Sequence, residues 1–357
     1  MLGLAGASPI ADALRRGKLD AADAIIRAQV TAGRVRAATL HVRQGRFTFE
    51  RAFGEAQSPD ALFLIASITK PMTAAGVMIL ADRGALALED PVEKFIPEFT
   101  GGDRKLVTIR HLLTHTSGLP DQLPENAELR KRHAPLEEFI DRAIRTPLLF
   151  RPGTKYSYQS MGILLAAAIA ERVAKQPFRQ FLERELFRPL GMTKTVLGLG
   201  RFRIADTALS QVEFAAPEGG TPEDADWNWN SAYWRNLGAP WGGAHSTGPD
   251  IAAFLASFLH PTGKVLKRET ASAMIANQTP GLAEPRGLGF SLRPGAFGSR
   301  SSSRAFGHGG STGTLAWADP ATGVTSVILT TLPARVSDSL ILGPVSNLVS
   351  EAMSESG

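Results

Sequence analysis

The chain has 357 residues, a formal net charge of +5, 43% hydrophobic residues and no cysteine. This length can bury a sizeable core in two sub-domains, and the lack of cysteine excludes disulfides and thiol catalysis without assigning a compartment. No apolar run is long enough to cross a bilayer. The clearest basic cluster, Arg130-Lys-Arg-His133, is more typical of a solvated helix face than of a nucleic-acid site. We therefore expect a soluble globular protein with no membrane span and no nucleic-acid partner.

The N-terminal region predicts a helix followed by a pair of strands. Residues 8–31 read as largely helical. Residues 37–42 and 47–53 alternate in hydrophobicity like antiparallel strands joined at residues 44–46. The first eight residues lack the basic region of a signal peptide and are too short for one. If they are the remnant of a cleaved signal, the protein is periplasmic or secreted, and the sequence leaves the compartment open.

A candidate nucleophile and a candidate base lie one helical turn apart in Ser67-Ile-Thr-Lys70. Positions i and i+3 share a helix face, so the Lys70 amine can reach the Ser67 hydroxyl. Pro71 is tolerated only in the first turn, which places the helix start close to Ser67. Free backbone N–H groups at the positive end of a helix suit the oxyanion of an acyl-transfer reaction. Taken alone, the pattern also fits an ordinary helix start with a capping serine.

Helical patterns dominate from residue 67 to about residue 258, broken by loops rich in Pro and Gly. In this region a Pro-Gly turn and two tyrosines, Tyr156 and Tyr158, precede an apolar run over residues 161–170. The run is too short to span a membrane, and it predicts a core helix.

Strand patterns return in the C-terminal part of the chain, at residues 288–292, 314–318 and 324–332. Residues 319–323 predict the hairpin turn between the last two strands. Residues 340–353 predict a final helix, and Pro344 limits how early it can start. Both ends of the chain would then contribute strands to one antiparallel sheet, with a helical sub-domain inserted between them.

Three short motifs follow one another along the chain. They read Ser67-Ile-Thr-Lys70, Tyr158-Gln-Ser160 and His308-Gly-Gly310, where other proteins have Ser-x-x-Lys, Tyr-x-Asn and Lys-Thr-Gly. Segments 111–119, 189–192 and 242–254 add to a likeness that runs from about residue 20 to the C-terminus. On these residues the chain resembles the serine beta-lactamase-related superfamily, in particular the class C beta-lactamases, D,D-peptidases and family VIII carboxylesterases.

The resemblance implies a catalytic role for three residues. Ser67 would be the nucleophile that forms an acyl-enzyme. Either Lys70, with a pKa lowered by burial, or Tyr158, as a phenolate, would take the proton of Ser67, and the two can titrate as one unit. Tyr158 is preferred over Tyr156 because the family pattern counts its tyrosine from the position of Phe150.

The resemblance also implies an oxyanion hole made by the backbone N–H groups of Ser67 and Ser311. Gly309 and Gly310 would let the edge strand that carries Ser311 approach the substrate closely. Because these donors are backbone groups, the Ser311 side chain should matter far less than that of Ser67.

Two departures from the family pattern bear on the substrate. Ser160 stands where beta-lactamases usually have asparagine, and a hydroxyl supplies fewer hydrogen bonds to a substrate amide than a carboxamide does. His308 replaces a lysine and is neutral or partly charged near pH 7, so it attracts a substrate carboxylate less strongly. Both residues are expected to contact substrate. Both changes weaken the case for efficient beta-lactam hydrolysis and fit an esterase, or an amidase or peptidase whose substrate is not a penicillin.

Two competing sites carry less weight. Residues 309–313 fit the nucleophile elbow of α/β-hydrolases, but that family has a histidine after its serine, and His308 is the last histidine here. His111 and His115 have a spacing that metal ligands use, but a zincin has glutamate at the position of Leu112. We therefore expect no metal and no cofactor.

Five aromatic residues follow the acidic stretch 223–226: Trp227, Trp229, Tyr233, Trp234 and Trp241. A flap over the active site and a satellite hydrophobic cluster under a long loop explain them equally well.

The sequence thus predicts an α+β, beta-lactamase/transpeptidase-like fold, with an antiparallel sheet flanked by helices and an inserted helical sub-domain. Residues 1–66 and 260–357 would form the α/β sub-domain and residues 67–259 the mainly helical one, with the active site in the cleft between them. The expected activity is that of a serine hydrolase on small carboxylic esters. The alternatives are a beta-lactamase or D-amino-acid peptidase, and a pseudoenzyme that only binds. The expected partner is a small-molecule ester or amide, and the oligomeric state stays open.

Overall fold

A computed structural model describes residues 9–354. Its helices are α1 (Pro9–Thr31), α2 (Thr69–Asp82), α3 (Ile109–Leu113), α4 (Asn126–Lys131), α5 (Leu136–Arg145), α6 (Ser160–Ala174), α7 (Phe178–Leu182), α8 (Ala232–Leu237), α9 (Gly248–Leu259), α10 (Arg268–Met274), α11 (Ala334–Ser337) and α12 (Gly343–Ser354). Its strands are β1 (Ala37–Gln44), β2 (Phe47–Gly54), β3 (Leu62–Leu64), β4 (Val196–Leu197), β5 (Thr207–Ala208), β6 (Ala244–Ser246), β7 (Phe306–Gly310), β8 (Thr314–Asp319) and β9 (Val324–Thr330).

A five-stranded antiparallel sheet joins the two ends of the chain in the order β2-β1-β9-β8-β7. The central pairing of β1 with β9 confirms the predicted antiparallel sheet. Helices α1 and α12 cover one face, and α9 covers the other. Both faces of β9 are therefore buried: Ile328 joins the cluster under α1 and α12, whereas Val327 and Leu329 join the main core.

Helices α2 and α6 form the centre of the helical part and pack against each other. Every residue from Thr69 to Leu80 is buried, as is every residue from Ser160 to Ala170. A helix that is apolar on all sides belongs in a core. The helix predicted from the apolar run 161–170 is confirmed, and α2 carries Lys70 into this core.

A second, smaller sheet has the order β4-β6-β3-β5, and the sequence did not predict it. Its strands have only two or three residues, too few to show the period-two alternation that identifies a strand. Strand β3 ends three residues before Ser67, and β6 begins three residues after Trp241. This small sheet therefore holds together two segments that border the site described below.

The strand predicted at residues 288–292 is reduced to one bridge residue, Ser291, which pairs antiparallel with Gly307 of β7. The residues before it form a turn, in which the Gly287 N–H donates to Phe290 O and Gly289 has a φ of +80°. A Cβ at Gly289 would lie 2.7 Å from the Ala74 Cβ, so the turn lies directly against α2. The side chains of this segment are apolar because the turn is buried, not because it is a strand. Phe290 packs into an aromatic cluster with Phe254, Phe258 and Phe306.

The other predicted elements of the C-terminal part are present. The β8–β9 hairpin turns where residues 319–323 predict it, and the Gly323 N–H donates to Asp319 O. The last helix begins at Gly343, with Pro344 in its first turn.

The division of the chain into 1–66, 67–259 and 260–357 stays a prediction. The possible signal remnant, residues 1–8, lies outside the described residues. Between residues 9 and 354, no helix combines the length and hydropathy needed to cross a membrane.

Candidate active site

Ser67 lies on a tight turn between β3 and α2. One 3-10 turn, Ala66–Ile68, links these elements. The φ of Ala66 is +45°, a left-handed conformation that costs free energy for a residue with a Cβ. The Thr69 Oγ1 donates to Ala66 O at 2.6 Å and accepts from the Ala244 N–H at 3.1 Å. These contacts hold the strained turn, so Ser67 is presented directly before α2, where the sequence predicts it.

The Lys70 amine lies on the same helix face as Ser67 and is almost completely buried. Its Nζ lies 2.9 Å from Ser67 Oγ and donates to Trp241 O at 2.8 Å. Burial lowers the pKa of Lys70 to about 7; the Asp121 carboxylate opposes this shift and the Arg286 guanidinium adds to it. At neutral pH a fraction of the molecules therefore carries an uncharged amine at this position, which can accept a proton from Ser67.

Tyr158 lies in the same cleft as Ser67. Lys70 Nζ lies 4.8 Å from the centre of the Tyr158 ring. Burial raises the pKa of Tyr158 above its usual range, so the phenol stays protonated at neutral pH. Between the two bases that the sequence left open, this geometry favours Lys70. Tyr156 instead lies beside the buried Arg286, with its ring centre 5.8 Å from the guanidinium carbon.

The turn that carries Ser311 is fixed against the end of β3. The Thr312 Oγ1 donates to Leu64 O at 2.7 Å, and the Thr314 Oγ1 donates to Ile65 O at 3.1 Å. A Cβ at Gly310 would lie 2.5 Å from Ile65 O, so only glycine permits this approach. Ser311 and Ser67 consequently line the same cleft.

The two glycines before Ser311 differ in their surroundings. At Gly310 a Cβ would meet the backbone of the segment before Ser67, but at Gly309 the nearest atom, Thr314 O, would be 3.8 Å away. Neither glycine is among the residues that line the cleft. The missing Cβ of Gly310 thus permits the contact of β7 with the segment before Ser67, and the expected approach of both glycines to a substrate stays a prediction.

His308 is buried behind Tyr158 rather than in the wall of the cleft. Their ring centres are 6.0 Å apart. The His308 Nδ1 lies 2.6 Å from Gly309 O, and the Arg286 Nη2 lies 3.4 Å from His308 Nε2. Burial and then the Arg286 charge lower the pKa of His308 well below its usual value, so this histidine is neutral near pH 7. Sequence reasoning missed Arg286, since a lone arginine in a loop carries no pattern.

Ser160 makes a contact that the sequence did not indicate. Its Oγ donates to Asp121 Oδ1 at 2.6 Å, and both residues line the cleft. The single O–H donor of Ser160 is thereby used within the protein. The motif Tyr158-Gln-Ser160 contributes a serine that orients a carboxylate, whereas the asparagine of the family pattern would offer its amide to the substrate.

The aromatic cluster divides into two parts. Trp229, Trp234 and Trp241 line the cleft, which has a volume of about 130 Å³. Trp227 packs on Arg130, whose guanidinium carbon lies 4.9 Å from its ring centre and 4.1 Å from that of Trp234. Arg130 is buried and lines the cleft, so the solvated helix face expected at residues 130–133 is wrong for this residue. The Tyr233 hydroxyl donates to Ala134 O. Three of the five residues thus form one wall of the site, and the small volume fits small substrates.

The two histidines of segment 111–115 have structural partners. The Thr108 N–H donates to His111 Nδ1 at 3.2 Å and caps α3. The Gln159 N–H donates to His115 Nδ1 at 3.2 Å, and the His115 ring centre lies 4.7 Å from that of Tyr158. Within residues 9–354, no group of three or more histidine or carboxylate side chains is placed to hold a metal ion.

The beta-lactamase family model matches residues 22–343 of this chain. Among curated proteins, Esterase EstB of Burkholderia gladioli is 38% identical over 180 residues, which span 44% of this chain and 46% of the esterase. Penicillin-binding protein 4* of Bacillus subtilis and Protein flp of Staphylococcus aureus are matched over 36% and 45% of their length. The chain thus matches less than half the length of these relatives.

Solved structures match over nearly the whole chain. A D-amino acid amidase from Ochrobactrum anthropi SV3, complexed with L-phenylalanine amide, has a TM-score of 0.73 at 25% identity, with 94% of this chain and 98% of that chain covered. EstCE1, a hydrolase with promiscuous acyltransferase activity, has a TM-score of 0.78 at 19% identity, with 96% and 100% covered. At 19% identity, the likeness to EstCE1 shows a common fold but no common activity.

Proposed function

The chain belongs to the beta-lactamase family of serine hydrolases, and we propose that it is an esterase that forms an acyl-enzyme on Ser67. The observation that carries this proposal is the buried Lys70 amine, 2.9 Å from Ser67 Oγ and with a pKa lowered to about 7. A serine hydroxyl is a weak nucleophile unless an adjacent base accepts its proton. A lysine that is partly neutral at physiological pH is such a base, and its help is worth roughly 10²–10⁴-fold in rate.

The reaction takes two steps. Ser67 Oγ attacks the ester carbonyl carbon while its proton passes to Lys70, and the backbone N–H groups of Ser67 and Ser311 stabilise the resulting oxyanion. Each such donor contributes about 10²–10³-fold. The bond to the alcohol then breaks, and the Lys70 ammonium returns the proton to the departing alcohol. A water molecule that gives its proton to Lys70 next attacks the acyl-enzyme; the bond to Ser67 Oγ breaks, the carboxylic acid leaves, and the Lys70 ammonium returns the proton to Ser67 Oγ.

Esters are favoured over beta-lactams and D-peptides by the groups around the nucleophile. The hydroxyl proton of Ser160 is donated to Asp121, and His308 is held neutral. The site therefore supplies neither the amide of an asparagine nor the charge of a lysine at the two positions where the family pattern has them. An ester needs fewer such contacts than an amide because its alcohol is a better leaving group. The volume of about 130 Å³ further favours short acyl groups.

The test is a comparison of kcat/KM for three substrate classes, with Ser67→Ala as the blank. The substrates are 4-nitrophenyl acetate and butyrate, a chromogenic cephalosporin and a peptide ending in D-Ala-D-Ala. We expect the esters to exceed the other two classes by at least about 100-fold, and Ser67→Ala to abolish the difference. A cephalosporin or D-peptide that is the better substrate would make the protein a beta-lactamase or peptidase. No turnover of any class by a folded protein would favour the non-catalytic binding protein.

A further inference from the structure

His115 combines two features that cost free energy, and the reaction described above uses neither. Its φ is +61°, in the left-handed region that residues with a Cβ rarely occupy. The side chain is completely buried, and its Nε2 has no hydrogen-bond partner among the described residues. His115 is not one of the described residues that line the cleft. Strained residues persist where the surrounding structure fixes them, often at functional sites, so the contacts of His115 indicate its role.

The main chain and the ring of His115 bind both neighbours of Tyr158. The Ser157 N–H donates to His115 O at 3.0 Å. The His115 Nδ1 lies 3.2 Å from Gln159 N and 3.0 Å from Gln159 O. Either tautomer of the ring therefore makes one hydrogen bond to Gln159, and the backbone of Tyr158 is held on both sides by a single residue.

The side chain of Gln159 is a second attachment between the same two segments. The Ser117 Oγ donates to Gln159 Oε1 at 2.6 Å, and the Gln159 Nε2 donates to His111 O at 3.2 Å. Residues 111–117 thus hold Gln159 through its backbone and through both ends of its amide. Because the backbone around Tyr158 is fixed in this way, the phenol hydroxyl can move only by rotation of the Tyr158 side chain.

The ring of His115 limits that rotation. Its centre lies 4.7 Å from the centre of the Tyr158 ring, with 37° between the two planes, which is a contact distance for aromatic rings. Lys70 Nζ lies 4.8 Å from the centre of the same phenol ring. Burial and then the Arg286 charge lower the pKa of His115 well below its usual value, so the imidazole is neutral near pH 7 and places no second positive charge beside Lys70.

We propose that His115 is a positioning residue of the hydrolysis, which holds the Tyr158 hydroxyl in the cleft beside Ser67 and Lys70 without touching the substrate. The proposal rests on the esterase assignment and goes beyond it by giving the strained histidine a role in the reaction. Ser67, Lys70 and Tyr158 all line the cleft. Such a role matters because a displacement of about 1 Å at a catalytic group can cost about 10²-fold in rate.

The experiment is a double-mutant cycle on kcat for 4-nitrophenyl acetate. The four proteins are wild type, His115→Asn, Tyr158→Phe and the variant with both changes. Asparagine tolerates the left-handed conformation, so His115→Asn removes the ring without adding strain. We expect each single change to lower kcat by about 10- to 100-fold. The double variant should be within about twofold of the slower single variant, because the position of a hydroxyl that is absent has no effect on the rate.

Two additional variants complete the cycle. His111→Asn is the matched control, since this histidine lies in the same segment but its Nδ1 accepts from the Thr108 N–H and caps α3. Its kcat should stay within about threefold of wild type, and its effect should multiply with that of Tyr158→Phe. His115→Phe keeps a ring against Tyr158 and removes the Nδ1 contact with Gln159. It repeats the cycle if urea unfolding shows that His115→Asn does not fold.

The same cycle is measured on the rate at which a fluorophosphonate labels Ser67, a readout that needs no ester. A His115 variant that folds and keeps kcat within about twofold of wild type would overturn the proposal. Losses that multiply in the double variant would also overturn it, because they show that His115 acts independently of Tyr158, as a purely structural residue does. An unchanged kcat in Tyr158→Phe would leave the phenol nothing to contribute and is the third contrary result.

Failure of the esterase assignment gives a different pattern. A wild type that is labelled at Ser67 but does not hydrolyse the ester would contradict that assignment, and the labelling rates of the four proteins would still decide the role of His115. A folded wild type that is neither labelled nor active would contradict both.

Discussion

Replacing Gly310 by alanine should impair the oxyanion hole while leaving the fold intact. A Cβ at this position would lie 2.2 Å from Thr314 Oγ1, which bonds Ile65 O, 2.5 Å from Ile65 O itself and 3.2 Å from the Ala66 Cβ. Ordinary contacts need about 3.5 Å, so β7 must move away from the nucleophile turn by about 1 Å. The N–H of Ser311 follows the strand. Since a displacement of about 1 Å at a catalytic group can cost about 10²-fold, and loss of one oxyanion donor about 10²–10³-fold, we expect kcat to fall by about two orders of magnitude.

Gly309 supplies the matched control, one residue away on the same strand. Its added Cβ would lie 3.8 Å from the nearest atom, so Gly309→Ala should change kcat less than about threefold. The assay is steady-state hydrolysis of 4-nitrophenyl acetate by wild type and both variants, with urea unfolding to show that each is folded. If Gly310→Ala and Gly309→Ala have equal activity, the assignment of the oxyanion hole to Ser67 and Ser311 is wrong.

Two further predictions concern protonation and packing. With a neutral ester, kcat/KM should rise as pH rises through about 7, because Lys70 must lose its proton to act as base. His115 and His308 do not explain such a rise, since their pKa values are held well below the usual range. A flat or falling pH profile of kcat/KM would argue against Lys70 as the base. Thr312→Val should destabilise the protein by about 1–3 kcal/mol in urea unfolding, because a buried carbonyl at the end of β3 loses its donor. In the control Thr325→Val, the buried Oγ1 has no hydrogen-bond partner among the described residues, so a loss as large as that of Thr312→Val would contradict the explanation.

Those parts of the site that depend on local geometry could be predicted from the sequence. The i, i+3 spacing of Ser67 and Lys70 and the position of Pro71 determine a helix start with both side chains on one face. The choice of Tyr158 over Tyr156 came from the family pattern and stays a prediction; Tyr158 lines the cleft with Ser67, and Tyr156 is not among the lining residues. The long strands β1, β2, β8 and β9 could also be predicted from local sequence, since each shows a clear alternation of apolar and polar residues or has a turn at its end.

The residues that sequence reasoning missed reach the site through the tertiary fold. Asp121 and Arg286 lie in loops far apart in sequence, and the backbone carbonyl of Trp241, which accepts from Lys70, is independent of side-chain type. The segment 288–292 was misread because apolar side chains in a buried turn resemble those of a strand, and only Gly289, with its φ of +80°, marks the difference. Local patterns cannot reveal such contacts, because they depend on which loops meet.

The most direct test of the account is the intact mass of the protein after incubation with a fluorophosphonate, which reacts only with an activated serine. Wild type and Ser311→Ala should each gain one adduct, since Ser311 contributes its backbone N–H, and Ser67→Ala should gain none. A wild type that is folded but unmodified, or a Ser67→Ala variant that is still modified, would contradict the claim that Ser67 is the nucleophile of a serine hydrolase.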